Sequence, residues 1–192
     1  MTKIKFEEEI RQSLAVLKNG GTILYPTDTV WGIGCDATNP KAVEKVYAIK
    51  QRAESKSLII LLDSFDKINY YVEKVPDVAF DLVSNMETPL TIIYSGAKNM
   101  APNVIASDGT IAIRVVNEEF CRQLILRFGK PIVSSSANIA AEATPLMFSN
   151  INPEIISNVD YVVNLKHDIF NRAKPSTIIR LLENGEFTII RP

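Results

Sequence analysis

The run Leu58-Ile59-Ile60-Leu61-Leu62 constrains the fold of this chain more than any other feature. Five consecutive apolar residues leave no polar face. As a strand they must be buried on both sides, so a sheet containing them needs covering layers above and below. Helical patterns can supply those layers. Phe6, Ile10, Leu14 and Leu17 recur at helical spacing, with Gly20-Gly21 as a stop. Asn39 can cap and Pro40 fits the first turn of a second helix, whose apolar face is Ala42, Val43, Val46 and Ile49. Lys50 then falls at that helix's C-terminal end. Further helices are predicted over 65–72, 77–86, 118–128 and 153–158. Strands are predicted over 22–25, 58–62, 90–94, 110–116, 131–134, 161–165, 176–182 and 187–191. Asn184-Gly185 between the last two is a hairpin signal, which excludes a purely parallel sheet. The expected class is α/β with a mixed sheet. No repeat, low-complexity tract or linker divides the chain, so one domain over residues 1–192 is expected.

Charge and rare residues exclude several function classes. Lys and Arg number 21 against 22 Asp and Glu, a formal net charge of −1. There is no global basic field for nucleic acid, and any anion site must be local. Cys35 and Cys121 lie far apart in sequence and read as small buried hydrophobes of a reducing compartment, not as a disulfide or metal framework. His167 is the only histidine and is read as a surface or strand-end residue. It cannot build a metal cluster, and nothing near it resembles a nucleophilic triad. The N-terminal residues carry acids and no apolar signal core, and no apolar run approaches membrane-span length. A soluble cytoplasmic protein is expected.

The chemistry gathers in a few segments. In Tyr25-Pro26-Thr27-Asp28-Thr29-Val30-Trp31-Gly32-Ile33-Gly34 an apolar strand ends at a proline that cannot donate to a sheet ladder. It then enters a turn bearing hydroxyls and a carboxylate. Gly32 and Gly34, with Ala37 and Glu54, superficially match a dinucleotide fingerprint. That fingerprint must open directly into a helix. Here the next helix starts only at Asn39-Pro40, so the glycines are read as permitting a tight chain path. Lys50, Arg52 and Lys56 form a small basic cluster, which reads either as a solvated connection or as a phosphate clamp of forks and point charges. Ser134-Ser135-Ser136-Ala137-Asn138 gathers hydroxyls and an amide where a strand becomes a loop. It is either a ligand site at a strand's carboxyl end or a serine-rich turn. Alternation puts Thr110, Ala112 and Arg114 on one strand face, which is then solvated or lines a polar cavity. Ser176 and Thr177 point to opposite faces, so at most one of them meets a given site. Arg191 closes the last strand.

Together these segments resemble the threonylcarbamoyl-adenylate synthase family, the YrdC-like proteins. Residues 25–34 are similar to that family's Y-P-T-[ED]-T-x-[YFW]-G-[LI]-G segment, Lys50-Gln51-Arg52 to its K-x-R, and Ser136-Ala137-Asn138 to its S-A-N. Pro89-Leu90-Thr91, Ala112-Ile113-Arg114, Ser176-Thr177-Ile178 and Ile190-Arg191-Pro192 follow in the family's order, and the resemblance covers residues 10–192. It implies a single domain with a twisted mixed sheet flanked by helices and a large concave site. It implies synthesis of threonylcarbamoyl-AMP and pyrophosphate from L-threonine, bicarbonate and ATP, with Mg²⁺ accompanying the ATP. The product would pass to a separate transferase complex that modifies adenosine 37 of tRNA. By the resemblance, Thr29, Arg114, Ser134 and Ser176 hold threonine. Lys50, Arg52, Lys56, Thr110, Ser136, Asn138, Thr144 and Arg191 hold the nucleotide, with Lys50 and Arg52 in the catalytic role. Leu61 stands where some members have a substrate-contacting histidine. A rival within the family is a double-stranded-RNA-binding module with little synthase activity, and weak RNA binding is a secondary expectation. The retained K-x-R and S-A-N segments weigh against the module.

Overall fold

The computed structural model describes residues 3–52, 58–167 and 175–192. In chain order its elements are α1 (Lys3–Lys18), β1 (Ile23–Tyr25), β2 (Gly32–Gly34), α2 (Pro40–Ile49), β3 (Ile59–Leu62), α3 (Ile68–Tyr71), α4 (Val78–Asn85), β4 (Leu90–Tyr94) and β5 (Ile111–Val115). Then come α5 (Glu119–Phe128), β6 (Ile132–Ser136), α6 (Pro153–Asn158), β7 (Tyr161–Val162), β8 (Thr177–Leu181) and β9 (Phe187–Arg191). Local chemistry sets several boundaries. The Asn39 side chain accepts from the amides of Lys41 and Ala42 at the start of α2, with Pro40 in its first turn. The Glu118 carboxylate caps α5 through the Cys121 amide, and Gly129, at φ +74°, ends that helix in the left-handed region that glycine favours.

Among the described residues the strands form one sheet in the order β7-β1-β2-β6-β3-β5-β4-β8-β9. β1–β7, β3–β5 and β4–β8 are parallel, and β1–β2, β2–β6, β3–β6, β4–β5 and β8–β9 are antiparallel. The sheet is mixed, as the hairpin signal required. The glycine pair carries no strand pattern, yet it forms β2 between β1 and β6. A Cβ on Gly34 would meet Tyr25 Cε1 at 2.6 Å and the Val133 carbonyl at 2.7 Å. Its glycine is demanded by close packing within the sheet, which agrees with a tight chain path and not with a dinucleotide loop.

β3 is buried on both faces. Ile60 and Leu62 join the core that includes Val43 and Val46 of α2 and Ile155 of α6. Leu61 joins the core of α1 and α5, with Ile10, Leu17, Phe120 and Leu124. Leu61 is therefore held among apolar side chains. The same alternation sorts β5: Ile111 and Ile113 face the α2 side, leaving Ala112 and Arg114 on the other. On that second side α1 and α5 pack over β1, β7 and β3. Beyond the helix pair, the faces of β3, β5, β4 and β8 line a cavity.

Candidate active site

The cavity is built from four pieces of chain that the sheet brings side by side. The first is the turn after β1. Thr27 Oγ1 donates to the Val30 carbonyl at 2.7 Å and accepts from the Thr29 amide at 3.1 Å. Its proton is thereby committed, so in the 3.0 Å contact between the two hydroxyls Thr29 is the donor. The second piece is β5. Arg114 Nη1 donates to Thr29 Oγ1 at 3.2 Å, and its Nη2 lies 3.1 Å from Asp28 Oδ1. Arg114 is 3% exposed. Burial pushes the Asp28 carboxyl up, and the guanidinium only partly offsets it.

The third piece joins the end of α2 to β6. Gln51 adopts φ +49°, a left-handed corner normally given to glycine, and the Arg52 amide closes the turn on the Tyr47 carbonyl at 3.0 Å. The reversal sends neighbouring cations different ways. Arg52 lines the cavity with Ser134 and Ser136. Lys50 turns inward, and its Nζ donates to the carbonyls of Ser136 and Asn138. Burial, and Arg52 nearby, push the Lys50 ammonium down to about 8. The fourth piece is the C-terminal hairpin. The hydroxyls of Ser176 and Thr91 lie 2.7 Å apart, and Arg191 donates to the Ser176 carbonyl through Nε at 3.0 Å and Nη2 at 2.7 Å. Burial lowers the Arg191 and Arg52 guanidinium values, while both remain cations.

These pieces enclose about 260 Å³. Thr29, Arg52, Arg114, Ser134, Ser136, Thr144, Ser176 and Arg191, all singled out from sequence, line it together with Gly32, Ile59, Ile93 and Ala112. Thr177 does not, as alternation required. Thr110 lies in an adjoining cavity of about 240 Å³ with Asp108 and Arg180, which shares Ile93 and Ala112 with the first. Its hydroxyl donates to Asp108 at 2.7 Å. Lys50 and Asn138 stand behind the lining. Lys56 lies outside the described residues. Two participants that the sequence segments contained but to which no site role was given are Asp28, the partner of Arg114, and Thr91, the partner of Ser176. A carboxylate two residues past Pro26 was the available signal for the first. Thr91 was named only within the Pro89-Leu90-Thr91 segment, and its apolar strand neighbours gave it no role.

The remaining rare residues are placed as well. Cys35 and Cys121 are free and buried. His167, read from sequence as a surface or strand-end residue, stacks on Phe148 with ring centroids 3.8 Å apart and also contacts Trp31. One ring nitrogen lies 2.8 Å from the Val163 carbonyl.

Three guanidinium groups and a row of hydroxyls line one cavity on the bare part of a mixed sheet, in a protein of the α/β class. The Sua5_yciO_yrdC family model, described as "Telomere recombination", matches residues 15–192, and the chain belongs to that family. Over 175 residues it is 35% identical to the threonylcarbamoyl-AMP synthase of Pseudoalteromonas translucida, covering 90% of this chain and 92% of the relative. The threonylcarbamoyl-AMP synthase of Psychromonas ingrahamii is 32% identical over 79% of this chain and 81% of its own. Two solved structures share the fold at 24% identity. Escherichia coli YciO superposes with a TM-score of 0.83 over 96% of this chain and 89% of its own. P. abyssi Sua5 complexed with L-threonine gives 0.86 over 95% of this chain. The chain spans about half of that Sua5, 53% of its length.

Proposed function

We propose that this protein is an L-threonylcarbamoyladenylate synthase, a nucleotidyltransferase that converts L-threonine, bicarbonate and ATP into threonylcarbamoyl-AMP, pyrophosphate and water. The observation that carries this reading is the convergence of Arg52, Arg114 and Arg191 with the hydroxyls of Thr29, Ser134, Ser136 and Ser176 around one cavity. The relatives named for this activity support it.

The arrangement suits two anionic reactants. The threonine carboxylate would meet Arg114, whose guanidinium is already oriented by Asp28 and Thr29. Ser134 and Ser176 would receive the amino acid's polar atoms. The triphosphate would meet Arg52, Arg191, Ser136 and Thr144, and Lys56 is assigned there by the resemblance. Thr110 would be reached by extending the nucleotide into the adjoining cavity. The threonine amine attacks bicarbonate, releasing water and forming a carbamate. A carbamate oxygen then attacks the α-phosphorus, and the bond to pyrophosphate breaks. Charge shifts among phosphoryl oxygens throughout, so the work is positioning and cationic stabilisation, with no protein nucleophile required. Mg²⁺ would arrive as part of the substrate, coordinated by the phosphates. The product would be consumed by a transferase complex acting on tRNA, and a cytoplasmic location is part of this proposal. No helix among the described residues is long and apolar enough to cross a membrane.

The test is mass-spectrometric detection of threonylcarbamoyl-AMP from purified protein with ATP, Mg²⁺ and bicarbonate, with and without L-threonine. Product that depends on threonine is expected. Absence of product with every substrate present, alongside salt-sensitive binding of duplex RNA, would replace the enzyme with the RNA-binding module.

A further inference from the structure

Lys50 is 1% exposed. Its Nζ donates to the Ser136 carbonyl and, at 2.7 Å, to the Asn138 carbonyl. Its own carbonyl accepts from the Ala140 amide at 2.9 Å. One residue thus holds both ends of the loop that leaves β6. Asn138 secures the far side, its Nδ2 donating at 2.9 Å to the carbonyls of Ile139 and Glu142. We propose that Lys50 is a positioning residue: it shapes the loop 136–140 so that the Ser136 hydroxyl faces the nucleotide, and it does not itself bind phosphate.

The proposal rests on the synthase reading above and reassigns a cation that the sequence placed on phosphate. Its physical reason is the orientation of carbonyl dipoles. Carbonyls partly withdrawn from water need donors, and past Ser136 the β2–β6 ladder no longer supplies them. The Ser136 carbonyl also accepts from the Asn138 amide at 2.9 Å, but if it and the Asn138 carbonyl lost the Lys50 donor and turned toward the cavity, their negative ends would repel a polyphosphate. The buried Lys50 ammonium draws both to the opposite side.

Two measurements on Lys50→Met test it. In the ligand-free protein, hydrogen exchange at the Ala137, Asn138 and Ala140 amides should accelerate about tenfold, with β4 and β5 unchanged. In a double-mutant cycle with Ser136→Ala, Lys50→Met should weaken equilibrium ATP binding about tenfold alone but less than about threefold beside Ser136→Ala, because the two changes act through one loop. L-Threonine affinity should stay within about twofold, which a general loss of structure would not allow. Unchanged loop exchange, or ATP costs that simply add, would overturn the proposal. If Lys50→Met does not fold, Lys50→Gln, which retains N–H donors at shorter reach, is judged by the same criteria. If the wild type yields no threonylcarbamoyl-AMP, the synthase reading fails, while loop exchange still decides whether Lys50 shapes the loop.

Discussion

Arg114 and Asp28 show what a single buried pair contributes. Their side chains are 4% and 16% exposed, so neither can lose its partner to water at low cost. Breaking such a pair by removing one member leaves an uncompensated buried charge. Asp28→Asn should therefore destabilise the free protein by about 3 kcal/mol in urea unfolding. Saturating L-threonine should recover a larger share of stability in this variant than it adds to the wild type, since its carboxylate can replace the lost counter-ion. L-Threonine amide should give no such recovery. Equal gains in the two proteins would show that Arg114 does not meet the carboxylate. At this scale the sequence was legible where chemistry is unusual for a strand. Alternation put Arg114 on one face with Thr110 and Ala112, leaving solvent or a polar cavity, and Arg114 and Ala112 line the cavity. The pairings of Asp28 with Arg114 and of Thr91 with Ser176 were not marked, because a pairing between segments more than eighty residues apart leaves no local pattern.

The most constrained element is β2. It was absent from the predicted strands because strand signals rest on β-branched and aromatic residues, and Gly-Ile-Gly has one such residue. Its glycines differ in consequence. At Gly34 a methyl group would collide with Tyr25 and the Val133 carbonyl, backbone that cannot yield. At Gly32 the nearest atom is Ser134 Oγ at 3.2 Å, a side chain that can shift. Gly34→Ala should cost at least about 2 kcal/mol in urea unfolding, an overpacking effect. Gly32→Ala should cost less stability but raise the KM for threonine, because it displaces the Ser134 hydroxyl. Similar KM effects from both substitutions would argue against that division. The other elements were legible for the opposite reason. Capped, periodic helices such as α2 and α5 carry their start and face in local residues. The segment over 65–72 was legible only as helical, and it divides into a 3-10 turn, Phe65–Lys67, and the short α3.

Across the whole molecule, the site depends on the C-terminal strand returning to the centre. β9 pairs with β8, β8 with β4, and Arg191 reaches from β9 to the Ser176 carbonyl. Arg191→Met removes one of the cavity's cations and leaves that carbonyl without its fork. Affinities for both ATP and threonine should fall about tenfold. The unfolding midpoint should move only slightly, because the β8–β9 ladder remains. Loss of ATP affinity alone would separate Arg191 from the threonine side, and the contrast with Lys50→Met, expected to affect ATP only, is measurable in one titration series. The layer order followed from the sequence by itself, since a strand apolar on both faces needs cover on both faces and a terminal hairpin needs an antiparallel edge. So did the residue types of the site, since hydroxyls and arginines stand out against apolar strands. Tertiary structure alone decided which cation faces the cavity. Lys50 and Arg52 are two residues apart and chemically alike in sequence. A left-handed corner at Gln51 and the Ser136 and Asn138 carbonyls that accept from Lys50 send one beneath the loop and the other to the cavity.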